Sequence, residues 1–170
     1  HEKKTPSPMV NLSLFSVPAF GYGSVGLLTC CITQGLITFV TPFYLQDVLK
    51  LSPTFIGTIF LAPSLLSMVL SPVSGAMTDR IGARFLLITG LLFLMAAFLI
   101  GANLRADSHW ILPTILLALT GIGAAFFNVP SQAVMVSSLP REHWGTAIGI
   151  LNGIFGLGQM LGISLTGIFL

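Results

Sequence analysis

The sequence predicts an all-α membrane protein with five transmembrane helices, and three observations support that fold class. Of the 170 residues, 54% are hydrophobic and only 7% are charged, whereas soluble domains average about 25% charged residues. The mean hydropathy is +0.96. Five charge-free stretches are each long enough to cross the hydrocarbon core, which takes about 20 apolar residues in a helix. They are too continuous for the alternating strands of a membrane barrel.

The helices are predicted at positions that charges, caps and prolines mark in order along the chain. Residues 1–19 are predicted to form a cytoplasmic or interfacial lead-in, whose first residues, HEKKTPSP, are polar and do not resemble a signal peptide. Because it begins without Met, we expect the chain to be a fragment. Residues 20–170 form the transmembrane domain. Its helices are placed at 20–45, 53–77, 85–104, 109–136 and 143–170.

Each boundary has a local reason. Asp47 and Lys50 end the first helix, and Ser52 caps the second, with Pro53 in its first turn. The charged stretch 79–84 separates the second helix from the third. Arg105 and Asp107 separate the third helix from the fourth, and Ser138-Leu139-Pro140 opens the fifth.

The distribution of positive charge predicts the orientation. One side of the membrane would carry five Lys and Arg residues, from the N-terminus, the 79–84 stretch and the 137–143 loop. The other side would carry only Lys50 and Arg105. Because cytoplasmic loops are enriched in Lys and Arg, the N-terminus and the 79–84 loop are predicted to be cytoplasmic.

Several classes of partner and site are not expected. The net charge is +2, and no basic patch of the kind that binds nucleic acid is present. No metal-ligand motif occurs, so no metal or cofactor is predicted. Cys30 and Cys31 are adjacent, and neighbours in a helix point about 100° apart. We interpret them as small core residues.

The charged stretch resembles a known family signature. Gly75, Asp79, Arg80, Gly82 and Arg84 match the pattern G-x-x-x-D-R-x-G-x-[RK], which resembles the loop between the second and third helices of a half in the major facilitator superfamily. Ala83 stands where the family often has a basic residue. The stretches PMVNLSLF, FYLQDVLKLSPTFIGTIFLAPS and NVPSQAVMVSSLPREHWGTAIGILNGIFGLGQMLGISLTGIF are similar to the second half of fourteen-helix drug:proton antiporters.

This resemblance implies a fold and a missing partner. The five helices would form most of the C-terminal six-helix half of the superfamily fold, with the substrate site between two halves at mid-depth. The N-terminal half of the same protein would be absent. The carboxylate of Asp79 would meet a helix N-terminus of that half and act as a gating latch, while Arg80 and Arg84 could pair with Glu142. Alternatively, the arginines only set topology and Asp79 only caps a helix.

Polar residues inside the predicted spans are candidates for the transport path. Such groups are costly in lipid and should face the interior or a cavity. By resemblance, the first and fourth helices line the central cavity and the second and fifth border it. The candidates are Gln34, Thr38, Asn128, Gln132 and Asn152, and Gln159 shares a face with Asn152. The alternative is that these amides only join neighbouring helices.

Small residues recur at helical spacing on two spans, which permits close helix packing. The second helix carries Ser64, Ser67, Ser71 and Gly75 on one face. The fifth carries Gly145, Gly149 and Gly153, followed by Gly158 and Gly162. We expect the first three residues of each set to pack against the missing half.

The resemblance implies part of a secondary active transporter, most simply a multidrug or lipophilic-compound efflux proton antiporter in the plasma (cell inner) membrane. Its partners would be the lipid bilayer and a small-molecule substrate. No Asp, Glu, Lys, Arg or His lies at membrane depth, so a coupling acid would lie in the missing half. Alternatives are an uptake carrier or facilitator for small metabolites, a half-transporter-like subunit acting with a partner chain, and a channel. An enzyme is disfavoured, because Ser164 has no histidine at its depth.

Overall fold

The computed structural model describes residues 17–105 and 107–169. In this part of the chain, five helices are long and apolar enough to span a membrane, which confirms the predicted all-α membrane fold. They are α1 (Pro18–Phe43), α2 (Pro53–Ile81), α3 (Ala83–Ala102), α4 (Ile111–Ser137) and α5 (Trp144–Phe169). Most of the predicted lead-in, 1–19, lies outside the described residues, and α1 already begins at Pro18.

Local sequence explains where the first helices begin and end. Proline occupies the first turn of both α1 and α2, where its missing N–H is not needed. The Ser52 hydroxyl accepts a hydrogen bond from the Phe55 N–H at 3.4 Å, as predicted for a cap. Beyond α1, a π-helical turn spans Tyr44–Val48. The Tyr44 hydroxyl donates to the carbonyl of Arg105 at 2.6 Å, which joins this turn to the α3–α4 connection.

The charged stretch is more helical than its sequence predicts. Helix α2 continues to Ile81, four residues past the predicted end at 77, because nothing before Gly82 interrupts it. Gly82 has φ 90° and ψ 147° and α3 begins at the next residue, so the junction is a single-residue break. This conformation is essentially restricted to glycine.

The helices pack as two groups joined through α1 and α4. Helix α1 packs along α5, and both α2 and α3 pack along α4. One buried apolar cluster includes Phe20, Leu27 and Met135, and a second includes Leu45 and Leu116. Along α1, the polar residues of its middle turns lie between the segments that contribute to these two clusters.

Glycines set the close contacts between helices. A Cβ at Gly158 would lie 2.5 Å from the Cβ of Cys31, and one at Gly162 would overlap the backbone of Ile32. On α4, a Cβ at Gly123 would lie 2.8 Å from the Leu94 side chain of α3. These distances are below van der Waals contact, so the absence of side chains is what permits α5 to approach α1 and α3 to approach α4.

Candidate functional site

A polar cavity of about 320 Å³ lies where α1, α2, α4 and α5 converge. Its polar lining consists of Gln34, Thr38, Ser64, Ser67, Thr120 and Gln159. Its apolar lining consists of Phe60, Pro63, Leu117, Gly121 and Ala124. None of these side chains is ionisable, so the wall combines neutral hydrogen-bonding groups with hydrocarbon.

Helical periodicity explains why these residues meet. Helix α2 contributes positions 60, 63, 64 and 67, and α4 contributes 117, 120, 121 and 124. Both sets follow the i, i+3, i+4, i+7 spacing of one helical face. Gln34 and Thr38 are four residues apart and share a face of α1.

Two close backbone contacts hold the helices around the cavity. A Cβ at Gly121 would lie 2.7 Å from the carbonyl oxygen of Pro63, so α4 and α2 touch there. A Cβ at Gly35 would lie 2.6 Å from the carbonyl oxygen of Gln159, so α1 and α5 touch as well. Because Gly35 is next to Gln34 in sequence, this second contact brings Gln34 and Gln159 to the same cavity.

An amide pair crosses from α1 to α4 beside the cavity. The Gln34 amide donates from Nε2 to Sγ of Cys30 at 3.1 Å. Asn128 donates from Nδ2 to Oε1 of Gln34 at 3.4 Å. Its own Oδ1 is buried and has no hydrogen-bond partner in the described part of the chain. Asn128 lies on the same α4 face as Thr120 and Ala124, at four-residue intervals.

Three of the four hydroxyls that line the cavity donate to backbone carbonyls. Ser64 donates to the carbonyl of Phe60 at 3.2 Å, and Thr120 donates to that of Leu116 at 2.8 Å. Ser67 donates across helices, to the carbonyl of Gly121 at 3.0 Å. This last bond joins α2 to α4 next to the close Gly121 contact.

The predicted transport-path residues fall into three groups. Gln34 and Thr38 line the cavity directly. Asn128 contacts it through Gln34, and Gln132 is half-buried one turn further along α4. Asn152 is exposed on α5 and is not part of the lining.

Thr120 lines the cavity but is not among the residues predicted for the path. Its signal in the sequence is that it lies eight residues before Asn128, on the same helical face. Gln159 also lines the cavity, although it was predicted only to share a face with Asn152.

Of the predicted gating residues, Gly75 is half-buried on α2, and the other four are exposed. Asp79, Arg80 and Arg84 are exposed and make no side-chain hydrogen bond or ion pair with any described residue. Glu142, their predicted partner, is exposed in the short 3-10 turn Arg141–His143 and is likewise unpaired within the described ranges. The neighbouring guanidinium of Arg141 lies 5.6 Å from the ring centre of Trp144.

The small-residue faces differ between the two helices. A Cβ at Gly145, Gly149 or Gly153 would meet no atom within 4 Å, so this face of α5 has no neighbour among the described residues. On α2, Ser67 bonds to α4, and Ser71 donates to the carbonyl of Ser67 on its own helix at 2.6 Å. Ser64 is exposed at the cavity.

A separate and larger groove of about 690 Å³ lies between α1 and α3, with a nearly apolar lining. It includes Thr33, whose hydroxyl donates to the carbonyl of Thr29 at 3.0 Å. Thr33 therefore has the same local bonding as Thr120 in a different environment.

Comparison with known proteins identifies the family of this chain. A family model described as Major Facilitator Superfamily matches residues 23–170. The chain is 34% identical over 170 residues to "Uncharacterized transporter YebQ" of Escherichia coli, covering 97% of this chain and 36% of the relative. It is 27% identical over 161 residues to "Riboflavin transporter RibZ" of Clostridioides difficile, covering 95% and 35%.

A third relative is named for resistance and export. The chain is 30% identical over 170 residues to the "Tetracenomycin C resistance and export protein" of Streptomyces glaucescens, covering 99% of this chain and 31% of the relative. The chain thus spans about a third of the length of these curated relatives. No solved structure gives a significant match to it.

Proposed function

The chain belongs to the Major Facilitator Superfamily, and from that premise we propose that it forms part of a secondary active transporter that works by alternating access. The observation that supports this most is the neutral polar cavity among α1, α2, α4 and α5. Ligand sites of such carriers lie near the bilayer midplane where repeats meet. Polar groups inside a membrane span mark substrate pathways when they face a cavity.

For the direction of transport, we propose efflux of lipophilic or antibiotic-like compounds from the cytoplasm across the plasma membrane. This is supported by a relative named for resistance and export of tetracenomycin C. We further propose coupling to protons. The described residues around the cavity include no ionisable side chain, so a coupling acid would belong to the N-terminal half that we expect to face this chain.

The cytoplasmic latch remains part of the proposal. The Asp79 carboxylate is exposed and unpaired within the described residues, which leaves it available to a facing helix N-terminus. The bare glycine face of α5 at Gly145, Gly149 and Gly153 is equally available for close packing against the other half. Ser64 and Ser71 would extend such packing on α2, whereas the Ser67 hydroxyl is engaged with α4.

A second candidate is an uptake carrier or facilitator for a small metabolite. It is favoured by the similarity to a protein named as a riboflavin transporter. A third possibility is a half-transporter-like subunit that acts with a separate partner chain. The coding DNA distinguishes this subunit from the exporter and from the uptake carrier. An uninterrupted reading frame that also encodes the facing half would contradict the subunit.

Transport in everted membrane vesicles tests the proposal directly. The protein in its natural full-length form would be expressed, and the vesicles supplied with riboflavin, tetracenomycin C or tetraphenylphosphonium. Energised uptake into everted vesicles that collapses with a protonophore supports proton-coupled efflux. Uptake only into right-side-out vesicles supports the carrier alternative. If none of the three compounds is carried in either orientation, the transporter proposal is wrong.

A further inference from the structure

We infer that the cavity among α1, α2, α4 and α5 binds an uncharged, hydrogen-bond-donating portion of the substrate, such as a set of hydroxyl or amide N–H groups. This inference rests on the proposed function, because it names the chemistry of the compound carried through that cavity. The inference is argued from which hydrogen-bond donors and acceptors of the cavity wall are already used within the protein and which remain available to a ligand.

The hydroxyls of the wall offer acceptors. A hydroxyl has one hydrogen to donate and two lone pairs to accept with. Ser64 and Thr120 donate their hydrogens to carbonyls of their own helices, and Ser67 donates to the carbonyl of Gly121. All three residues line the cavity. Because their hydrogens are already used, their oxygens can only accept hydrogen bonds, which a ligand would have to donate.

The amides of the wall contribute both donors and acceptors. Gln34 uses one amide hydrogen on Cys30 and accepts from Asn128, which leaves it one further hydrogen to donate. Thr38 and Gln159 likewise bring donors and acceptors together. The surplus of acceptors therefore comes from the three engaged hydroxyls, and a complementary ligand supplies hydrogens to them.

The lack of charge limits which donors fit. An ammonium group also donates hydrogen bonds, but removing a charge from water is expensive unless a counter-charge compensates it. The described residues that line this cavity include no carboxylate. A neutral hydroxyl or amide satisfies the same acceptors at a much smaller desolvation cost.

The volume of the cavity suits one part of a substrate and not a whole drug-sized molecule. At about 320 Å³, the cavity is at the small end of ligand pockets, which run from roughly 300 to 1,000 Å³. It would hold the polar part of a drug-sized molecule, with Phe60, Pro63 and Leu117 covering apolar atoms. The remainder of the molecule would contact the facing half of the transporter.

The test is a double-mutant-type cycle. A substitution removes one acceptor from the protein, and a modified ligand lacks the matching donors. Thr120→Val deletes one wall oxygen with little change in shape. Thr33→Val is the matched control, since Thr33 makes the same backbone bond but lines the α1–α3 groove. Each variant of the natural full-length protein is assayed in vesicles with riboflavin and with riboflavin tetraacetate, whose ribityl hydroxyls are capped.

The inference predicts that Thr120→Val raises the KM for riboflavin about 2- to 10-fold, the effect of one neutral hydrogen bond. The KM for the tetraacetate should change less than about twofold, and Thr33→Val should change neither value. If Thr120→Val does not accumulate in the membrane, Ser64→Ala replaces it with the same expectations.

Three results would overturn the inference. The first is an equal change in KM for both compounds, and the second is an equal effect of Thr33→Val. The third is that the protein transports tetraphenylphosphonium but neither riboflavin nor tetracenomycin C. That result would refute this inference but would still be consistent with efflux. If none of the probes is transported at all, the proposed function fails together with the inference.

Discussion

The substitution Gly35→Ala probes the contact that holds two walls of the cavity together. A Cβ at this position would lie 2.6 Å from the carbonyl oxygen of Gln159, and also 3.1 Å and 3.2 Å from its Cα and carbonyl carbon. All three are backbone atoms, so no side-chain rotation relieves the overlap. Helix α5 must move away from α1 instead.

The size of the effect follows from this geometry. The nearest contact is about 0.8 Å shorter than ordinary van der Waals approach, and forcing such an overlap in a packed interior costs roughly 1–3 kcal/mol. Gly26 on the same helix is the matched control, because a Cβ there would meet no atom within 4 Å. We expect Gly26→Ala to be neutral or slightly stabilising, since alanine favours a helix over glycine.

Unfolding of the natural full-length protein in a denaturing-detergent titration measures this difference. Gly35→Ala should lower the free energy of unfolding by about 1–3 kcal/mol relative to Gly26→Ala. It should also raise the KM for the transported compound, because Gln34 and Gln159 would move apart. Equal stability of the two variants, within about 0.5 kcal/mol, would refute the close α1–α5 contact.

Three further predictions concern the helix junction, the surface carboxylate and the α2–α4 bond. Gly82→Ala should destabilise the protein by about 1–3 kcal/mol because of its φ of 90°, whereas Gly75→Ala should not, since a Cβ there would make an ordinary 3.9 Å contact. Equal unfolding curves would contradict this. Asp79→Asn should reduce the transport rate while the amount in the membrane stays normal on immunoblots; unchanged kinetics would argue against a latch. Ser67→Ala should cost about 0.6–1.5 kcal/mol in the detergent titration by removing one interhelical hydrogen bond. No loss would show that this bond does not contribute.

The five helices could be predicted from the sequence because charged residues occur only between the helices or in their end turns. The end of α2 could not, because the stretch 78–81 contains no helix breaker and its charges looked like a loop. Charged residues are compatible with a helix wherever it emerges from lipid. The break between α2 and α3 depends on the backbone conformation of Gly82. The sequence pattern alone does not show that this break is only one residue long.

The cavity was only partly predictable from the sequence. Gln34 and Thr38 stood out because an amide and a hydroxyl on one face of an apolar span are unusual. Thr120 did not, because a hydroxyl can satisfy itself on its own helix and so carries little information. The glycines show a second limit. Gly149 and Gly158 are both small residues on α5, yet only Gly158 touches α1, and spacing alone does not identify the neighbour.

If the proposed function is right, the cavity is part of a water-accessible substrate path. Labelling of Thr38→Cys with a membrane-impermeant maleimide tests it most directly. Thr38 is exposed at the cavity, while the native cysteines are buried and provide a low background that the unsubstituted protein measures. Leu92→Cys, exposed on apolar α3, serves as the lipid-facing control.

We predict that Thr38→Cys in the natural full-length protein reacts with the maleimide and that a transported compound slows this reaction. Leu92→Cys should remain unreactive under both conditions. A Thr38→Cys variant that reacts no faster than Leu92→Cys, or that reacts at the same rate with and without the transported compound, would contradict a substrate path through this cavity.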